Sequence, residues 1–284
     1  MIRALDTDKY VVTVVDDLST QRYCSLFDVG RKFDFQERDF ADITVTELSR
    51  FDTVVHLAAK TDAASSIKEK EETFDVNVTK TIRFINCVRE AQVGFFIFPS
   101  STSVYGKGQE VMYENEVNII PQSPYAESKV LVEEHLKKSG ICHIIFRFGT
   151  IFGISPGMRF HTAINKFCYQ AALEQPLTVW RQNYNQYRPY LGLNDAIGAI
   201  DLALSEQLSP NEIYNVLTTN VKLCQIIEMI EESVDVNIKW VDTPLLNQHT
   251  YFVNDDKIKA MGLSINDVLS AEIRKTLQLL GGDK

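Results

Sequence analysis

The sequence predicts an α/β fold, a doubly wound parallel sheet followed by a smaller mixed α/β lobe, on three observations. Short β-branched and aromatic runs recur between residues 10 and 148, nearly all apolar, as in strands buried on both faces of a parallel sheet. Amphipathic helical stretches alternate with them, the pattern of βαβ units. Past Gly153 the rhythm changes to shorter, mixed elements, with no repeat, low-complexity tract or linker between. The expected division is residues 1–155 for the larger unit and 156–284 for the lobe.

Ile2, Ala4 and Leu5 read as the last turns of an amphipathic helix, broken by Asp6-Thr7-Asp8-Lys9. Tyr10 to Val15 reads as the first buried strand, ending in Asp16-Asp17-Leu18-Ser19-Thr20, and Phe33 to Arg38 as the next, ending at Asp39. Asp42 to Leu48 is a helix and Thr53 to Leu57 another buried strand, followed by Ala58-Ala59. A long helix is expected over Glu69 to Ala91, with Phe74, Val78, Ile82, Ile85 and Val88 on one stripe. Phe95 to Phe98 is a strand, Tyr125 to Lys138 a helix stopped by Gly140, and His143 to Phe148 a strand. In the lobe, helices are expected at Phe160–Leu173, from a cap at Asn194-Asp195 through Leu204, at Leu223–Ser233 and over much of Ile265–Leu280. Strands are expected at Leu177–Trp180, Ile213–Val216 and Ile238–Val241.

Composition removes several classes of function. The 284 residues suffice to bury a substantial core. With 29 basic against 38 acidic side chains, a net charge of -9 argues against non-specific nucleic-acid binding and against an anionic membrane surface. Five scattered cysteines form no CxxC pair, as in a reducing, cytoplasmic setting, and five histidines show no metal-ligand spacing. No apolar run approaches the ~20 residues that span a bilayer.

The chemistry concentrates in two segments. Ser100-Ser101-Thr102-Ser103-Val104-Tyr105-Gly106 closes an apolar strand, and Ser123-Pro124-Tyr125-Ala126-Glu127-Ser128-Lys129 opens a helix. Tyr125 and Lys129, four residues apart, lie on one helical face. An ammonium there favours the tyrosinate and draws the phenol down from its ordinary ~10. With a hydroxyl from the strand end, the set can move a proton on a substrate alcohol while a hydride goes elsewhere.

These segments, with Asp16-Asp17-Leu18-Ser19-Thr20, His56-Leu57-Ala58-Ala59, Asn77-Val78, Arg147 to Gly153, Arg188-Pro189-Tyr190, Asn194-Asp195 and Thr243 to Gln248, occur in one order over nearly the whole chain. In that order they resemble the extended short-chain dehydrogenase/reductase family, the nucleotide-sugar epimerases and dehydratases with a Rossmann-like cofactor domain. The resemblance implies NAD as cofactor and a nucleotide-sugar substrate. It implies Ser101, Tyr125 and Lys129 as the catalytic set, with Ser100 and Thr102 bystanders to the reaction itself. Asp16 is either a solvated turn residue or the acid on the adenosine ribose, where it would also favour NAD over NADP. Asp39 is a loop cap or an adenine contact. The backbone of Leu57, Ala58 and Ala59 is expected near the cofactor, His56 is expected to be structural, and Asn77 is expected to tie two strands together. Tyr125 and Lys129 would also hold the nicotinamide ribose. Ser101, Thr102 and Arg188 are the implied substrate contacts, with Arg188 on the phosphates and Arg159 a weaker phosphate candidate.

Dehydratases of this resemblance carry an Asp-Glu pair where this chain has Thr102 and Ser103. Hydroxyls cannot replace those acids, so epimerisation, at C4 of a hexose through a transient 4-ketone, is favoured over dehydration or reduction. The resemblance also implies a homodimer built on the Glu69–Ala91 and Tyr125–Lys138 helices. The ribose acid of a dinucleotide-binding unit lies about 20 residues beyond its glycine-rich turn, and Asp16 leaves no room for one. The first strand and turn would sit upstream of Met1, so the chain is expected to be shorter than the ancestor or gene product that carried them. Without them, two buried strand edges lose their shared partner and NAD binding weakens, which leaves a non-catalytic homologue as the rival reading.

Overall fold

The computed structural model describes the chain except residues 7, 28, 30–32, 107–110, 243–249 and 283–284. Its main sheet has four parallel strands, β3 (Thr53–Val55), β4 (Phe95–Ser101), β6 (His143–Phe148) and β10 (Glu212–Val216), in the order β10-β6-β4-β3. β1 (Thr13–Asp16) and β2 (Asp34–Glu37) form a separate parallel pair. Strand formation in the main sheet follows from the apolar runs: every residue of β6 is buried.

Helices cover both faces, as the doubly wound prediction requires. On one side α1 (Val45–Leu48), α3 (Thr81–Glu90) and α4 (Pro124–Ser139) set Leu48, Phe84, Ile85, Val88, Val132 and Leu136 against Phe96, Phe98 and Ile145. On the other, α6 (Leu193–Leu204) and α8 (Asp256–Ala260) set Ala196, Ala199, Ala203 and Ile258 against Ile97, Ile144 and Phe146. Three elements from beyond residue 155, α6, α8 and β10, thus return to the first core; the chain crosses between lobes more than once. The second core lies around α5 (Ala163–Ala172), α7 (Leu223–Glu231) and α9 (Leu269–Leu279). It also contains the strand pair β8 (Leu177–Trp180) with β12 (Ile238–Val241), and the three-stranded β11-β9-β7 of Thr219–Lys222, Tyr187–Gly192 and Thr150–Phe152. A short parallel pair, β5 (Val111–Met112) with β13 (Phe252–Val253), joins the lobes.

Four elements differ from the sequence reading. Residues 2–5 make one turn, in which Ala4 and Leu5 N–H donate to the Met1 carbonyl at 2.8 and 3.2 Å. β1 starts only at Thr13 and is half-buried, and Val11 is fully exposed, because β2 is its sole paired neighbour. The long helix carries a π turn, Asp75–Lys80, between α2 (Lys70–Phe74) and α3. There the Thr81 hydroxyl donates to the Val76 carbonyl at 3.0 Å, and Asn77 turns inward. α6 is capped from outside: Gly192 holds the cap position, and the Asp267 carboxylate accepts from Asn194 and Asp195 N–H at 2.9 and 3.3 Å.

Candidate active site

The site is built at the carboxyl ends of β3 and β4. In α4 the Ser123 hydroxyl caps Ala126 N–H at 3.2 Å, Pro124 takes the first helical position, and Gly140 ends the helix at φ 78°. That start places Tyr125 and Lys129 in the first two turns. Tyr125 N–H donates to the Ser66 hydroxyl at 3.2 Å, and the Tyr125 carbonyl accepts from Ser128 at 2.7 Å. Asn77 binds this helix to the segment after β3. Its Oδ1 accepts from Lys60 N–H at 2.8 Å, and its Nδ2 donates to the Lys60 carbonyl and to Ser128 Oγ at 2.9 and 3.1 Å. Asn77 therefore ties a loop to α4 rather than strand to strand.

Lys129 is buried. Its Nζ donates to the Pro99 carbonyl at 2.9 Å, lies 4.6 Å over the Phe98 ring and 6.0 Å from the Tyr125 ring centre. Pro99 tolerates a central strand because β3, whose pairing with β4 ends at Val55–Ile97, has already stopped beside it. Its carbonyl faces the same side as that of Ile97, which His56 N–H satisfies at 3.0 Å, so Lys129 takes the place of the missing strand. Burial pulls the Lys129 ammonium down to about 8, against the opposing charge of Glu133.

Burial pushes the Tyr125 phenol up; the Ser101 hydroxyl at its oxygen and the Arg159 guanidinium draw it back. The downward pull expected from Lys129 thus comes here from Ser101 and Arg159. Ser101 ends β4 and caps the short turn Thr102–Tyr105, accepting from Ser103 N–H at 3.2 Å. That turn closes on Gly106 at φ 54°, where a Cβ would stand 1.9 Å from the Ile120 carbonyl oxygen.

The other predicted residues fall as follows. Asp16 ends β1, and its Oδ1 accepts from Leu18 N–H at 2.8 Å. Asp39 caps the turn Phe40–Asp42 through Ala41 N–H at 2.9 Å and pairs with Lys80 at 2.7 Å. Against a burial penalty, those bonds hold its carboxyl below the usual range. Leu57 is exposed and Ala58 and Ala59 are half-buried just past β3. His56 is buried between Phe40, Phe84, Phe96 and Phe98, and burial with the Lys129 charge takes it to about 3. Thr102 is buried with its hydroxyl at the Tyr251 phenol, and the Arg188 guanidinium lies 5.2 Å over the Tyr251 ring. Arg188 also donates to the Tyr187 carbonyl and Gln186 Oε1, at 2.7 and 2.6 Å. Arg159 reaches across from the second lobe to the Thr61 hydroxyl. Thr243 to Gln248 lies outside the described residues.

The structure thus gathers Ser101, Tyr125, Lys129 and Arg159 at one point, with Thr102, Tyr251 and Arg188 beside it. It places Asp39 in an ion pair. Sequence reasoning missed Tyr251, which no local pattern marks, and Glu133, whose spacing of four from Lys129 was readable.

A family model described as the NAD dependent epimerase/dehydratase family matches residues 1–216. The chain belongs to that family. Among curated relatives, it is 28% identical over 160 residues to a UDP-glucose 4-epimerase of Streptococcus mutans, covering 54% of this chain and 48% of that protein. It is 25% identical over 226 residues to a putative UDP-glucose 4-epimerase of Methanocaldococcus jannaschii, covering 77% and 72%. A trifunctional UDP-glucose 4,6-dehydratase, epimerase and reductase of Arabidopsis thaliana is 26% identical over 296 residues, 94% of this chain and 42% of that one. The chain spans about half the length of the Streptococcus relative and less of the Arabidopsis one. The crystal structure of a UDP-glucuronic acid 4-epimerase from Bacillus cereus has the same fold, with a TM-score of 0.85, 23% identity and coverage of 96% and 91%.

The family's cofactor is NAD, and its fit to these residues divides in two. Asp16 at the end of β1, the backbone after β3, and Tyr125 with Lys129 beside the end of β4 lie at the carboxyl ends of parallel strands, the edge at which open α/β sheets take ligands. Among the described residues β1 is the first strand, and no glycine-rich turn lies before it.

Proposed function

We propose that the chain is an NAD-dependent nucleotide-sugar epimerase acting at C4 of an NDP-hexose through a transient 4-ketone. The convergence of Ser101, Tyr125 and Lys129, with no carboxylate at Thr102 or Ser103, carries the reading. Ser101 fixes the sugar C4 oxygen, and Tyr125 takes the proton from that hydroxyl and later returns it. Lys129 holds the nicotinamide ribose, and Ser101 with Arg159 favours the tyrosinate. Bound NAD supplies the hydride acceptor. Arg188 is the proposed phosphate contact, Thr102 a sugar contact, Asp16 the ribose acid, and Asp39, once freed from Lys80, an adenine contact. Residues 1–155 would serve mainly the cofactor and 156–284 the substrate.

The test is NDP-glucose with NAD and the protein, followed by separation of the sugar products. The C4 epimer supports the reading; a 4-keto-6-deoxy sugar would make the chain a dehydratase. One observation favours a second reading, a nucleotide-sugar-binding homologue with weak NAD affinity: among the described residues β1, which carries Asp16, pairs with β2 alone, apart from the main sheet. Absence of any bound or added NAD at millimolar concentration would select it. A homodimer would pair the outer faces of α2–α3 and α4, where Phe74, Val78 and Ile82 are half-buried and Leu131 exposed. A monomeric mass by light scattering would exclude it.

A further inference from the structure

Behind the proposed proton site lies an ion pair sealed from water. Glu133 is 1% and Arg147 1% exposed. Arg147 Nη2 donates to Glu133 Oε2 at 2.7 Å and Nε to both oxygens at 3.2 Å, and the Ser100 hydroxyl donates to Oε1 at 2.5 Å. Around Arg147 a second layer closes: its guanidinium lies 4.9 Å over the Tyr105 ring, and its Nη1 donates to the Glu114 carbonyl at 3.4 Å. Tyr105 in turn donates to Asn215 Oδ1 at 2.7 Å. The pair thus links α4, the end of β4, β6 and, through Asn215, β10.

Two features point this pair at the chemistry. Glu133 is one helical turn beyond Lys129 on the same face. Ser100, its third partner, lies between Pro99, which accepts from Lys129, and Ser101, which meets Tyr125. We propose that Glu133 is a positioning residue of the Tyr125–Lys129 site, its carboxylate compensating the buried Lys129 charge while Ser100 and Arg147 fix the strand end that carries Ser101. Buried ion pairs are weak devices for stability, so a role at the site accounts for one placed here. This inference rests on the proposed function for its meaning in turnover, though not for its electrostatics.

The other groups facing Lys129 and Glu133 do not compete. His56, at the end of β3, is held neutral; Arg147 and, nearer Tyr125, Arg159 stay cationic; burial takes Tyr105 up to about 12. Glu114 contacts Arg147 through its main chain. Among the described residues, Glu133 is the acid whose charge acts on Lys129.

The experiment titrates Lys129 directly in protein carrying 13C-labelled lysine, its signal identified by loss in Lys129→Met. In Glu133→Gln the Lys129 titration should move about one pH unit lower, the size expected of one opposite charge removed from nearby. The alkaline limb of kcat/KM should move with it. Ser100→Ala, which keeps the carboxylate, should leave the titration in place. Glu133→Gln/Arg147→Met removes both charges and guards against a single variant that fails to fold; with the Arg147 repulsion also gone, it should move the titration down by less than Glu133→Gln does. An unchanged Lys129 titration in the folded variants overturns the inference and reduces Glu133 to a structural role. A moved titration in a protein without epimerase turnover upholds the inference and removes the proposed function instead.

Discussion

Replacing Lys129 by methionine should stabilise the protein at neutral pH while abolishing turnover. Burial lowers the Lys129 ammonium from 10.5 to about 8. In the unfolded chain the same amine keeps its ordinary value, so at pH 7 both states are protonated and the fold carries the cost of a buried cation. The gap corresponds to about 3 kcal/mol at ~1.36 kcal/mol per pH unit. Between about pH 8 and 10.5 the folded state releases its proton before the unfolded one. The unfolded state then binds more protons, and wild-type stability rises with pH through that window. Lys129→Met lacks this term. It should exceed wild type at pH 7 by about 1–2 kcal/mol, the full gain less the ~1–2 kcal/mol cost of leaving the Pro99 carbonyl unpaired. That advantage should shrink and reverse by pH 10. Urea denaturation of both proteins at pH 7, 8.5 and 10 measures it, and the unpaired carbonyl cancels in the pH dependence. A difference between the two proteins that stays constant with pH would refute the buried, partly discharged lysine.

Tyr125→Phe should keep the fold and lose about 10²–10⁴ in kcat, and near wild-type turnover would remove the phenol from the mechanism. With Asp16 at the ribose, NAD should bind at least about tenfold more tightly than NADP by calorimetry, and equal affinities would count against that placement. Gly106→Ala should destabilise by about 2 kcal/mol or more, since it combines a left-handed backbone with a collision against the Ile120 carbonyl; an unchanged melting midpoint would show that the turn yields freely.

Where local pattern and long-range packing agree, the sequence was legible. The apolar runs of β4 and β6 and the capped start of α4 read directly, because burial on both faces and an Ser-Pro cap leave little choice. The pairing of Tyr125 with Lys129 was legible from helical spacing alone. The π turn was not: it depends on Asn77 finding the backbone of Lys60, a contact across 17 residues that no periodicity signals. Nor was the source of the pull on Tyr125, because Arg159 arrives from the second lobe. The extent of β1 was overestimated for a related reason. Its residues suit a strand buried on both sides, but with one paired neighbour only Thr13–Asp16 keeps the ladder.

That last difference separates the site into two halves with different foundations. Ser101, Tyr125 and Lys129 sit on β4 and α4, inside the four-stranded sheet, fixed by Asn77 from one side and by Glu133 and Arg147 from the other. Among the described residues, none of these hydrogen bonds and ion pairs is made by a residue of β1 or β2. Asp16 and Asp39 belong to the separate β1–β2 pair, and Asp39 is bound to the helix by Lys80. Among the described residues the second edges of β1 and β3 have no strand partner, an arrangement that is costly when the edge is buried. The proton-transfer geometry can therefore be intact while the adenosine end of the cofactor site is loosely held. Changes at β1–β2 should act on cofactor affinity, and changes at Asn77 or Glu133 on the chemistry, because the two sets of contacts share no strand.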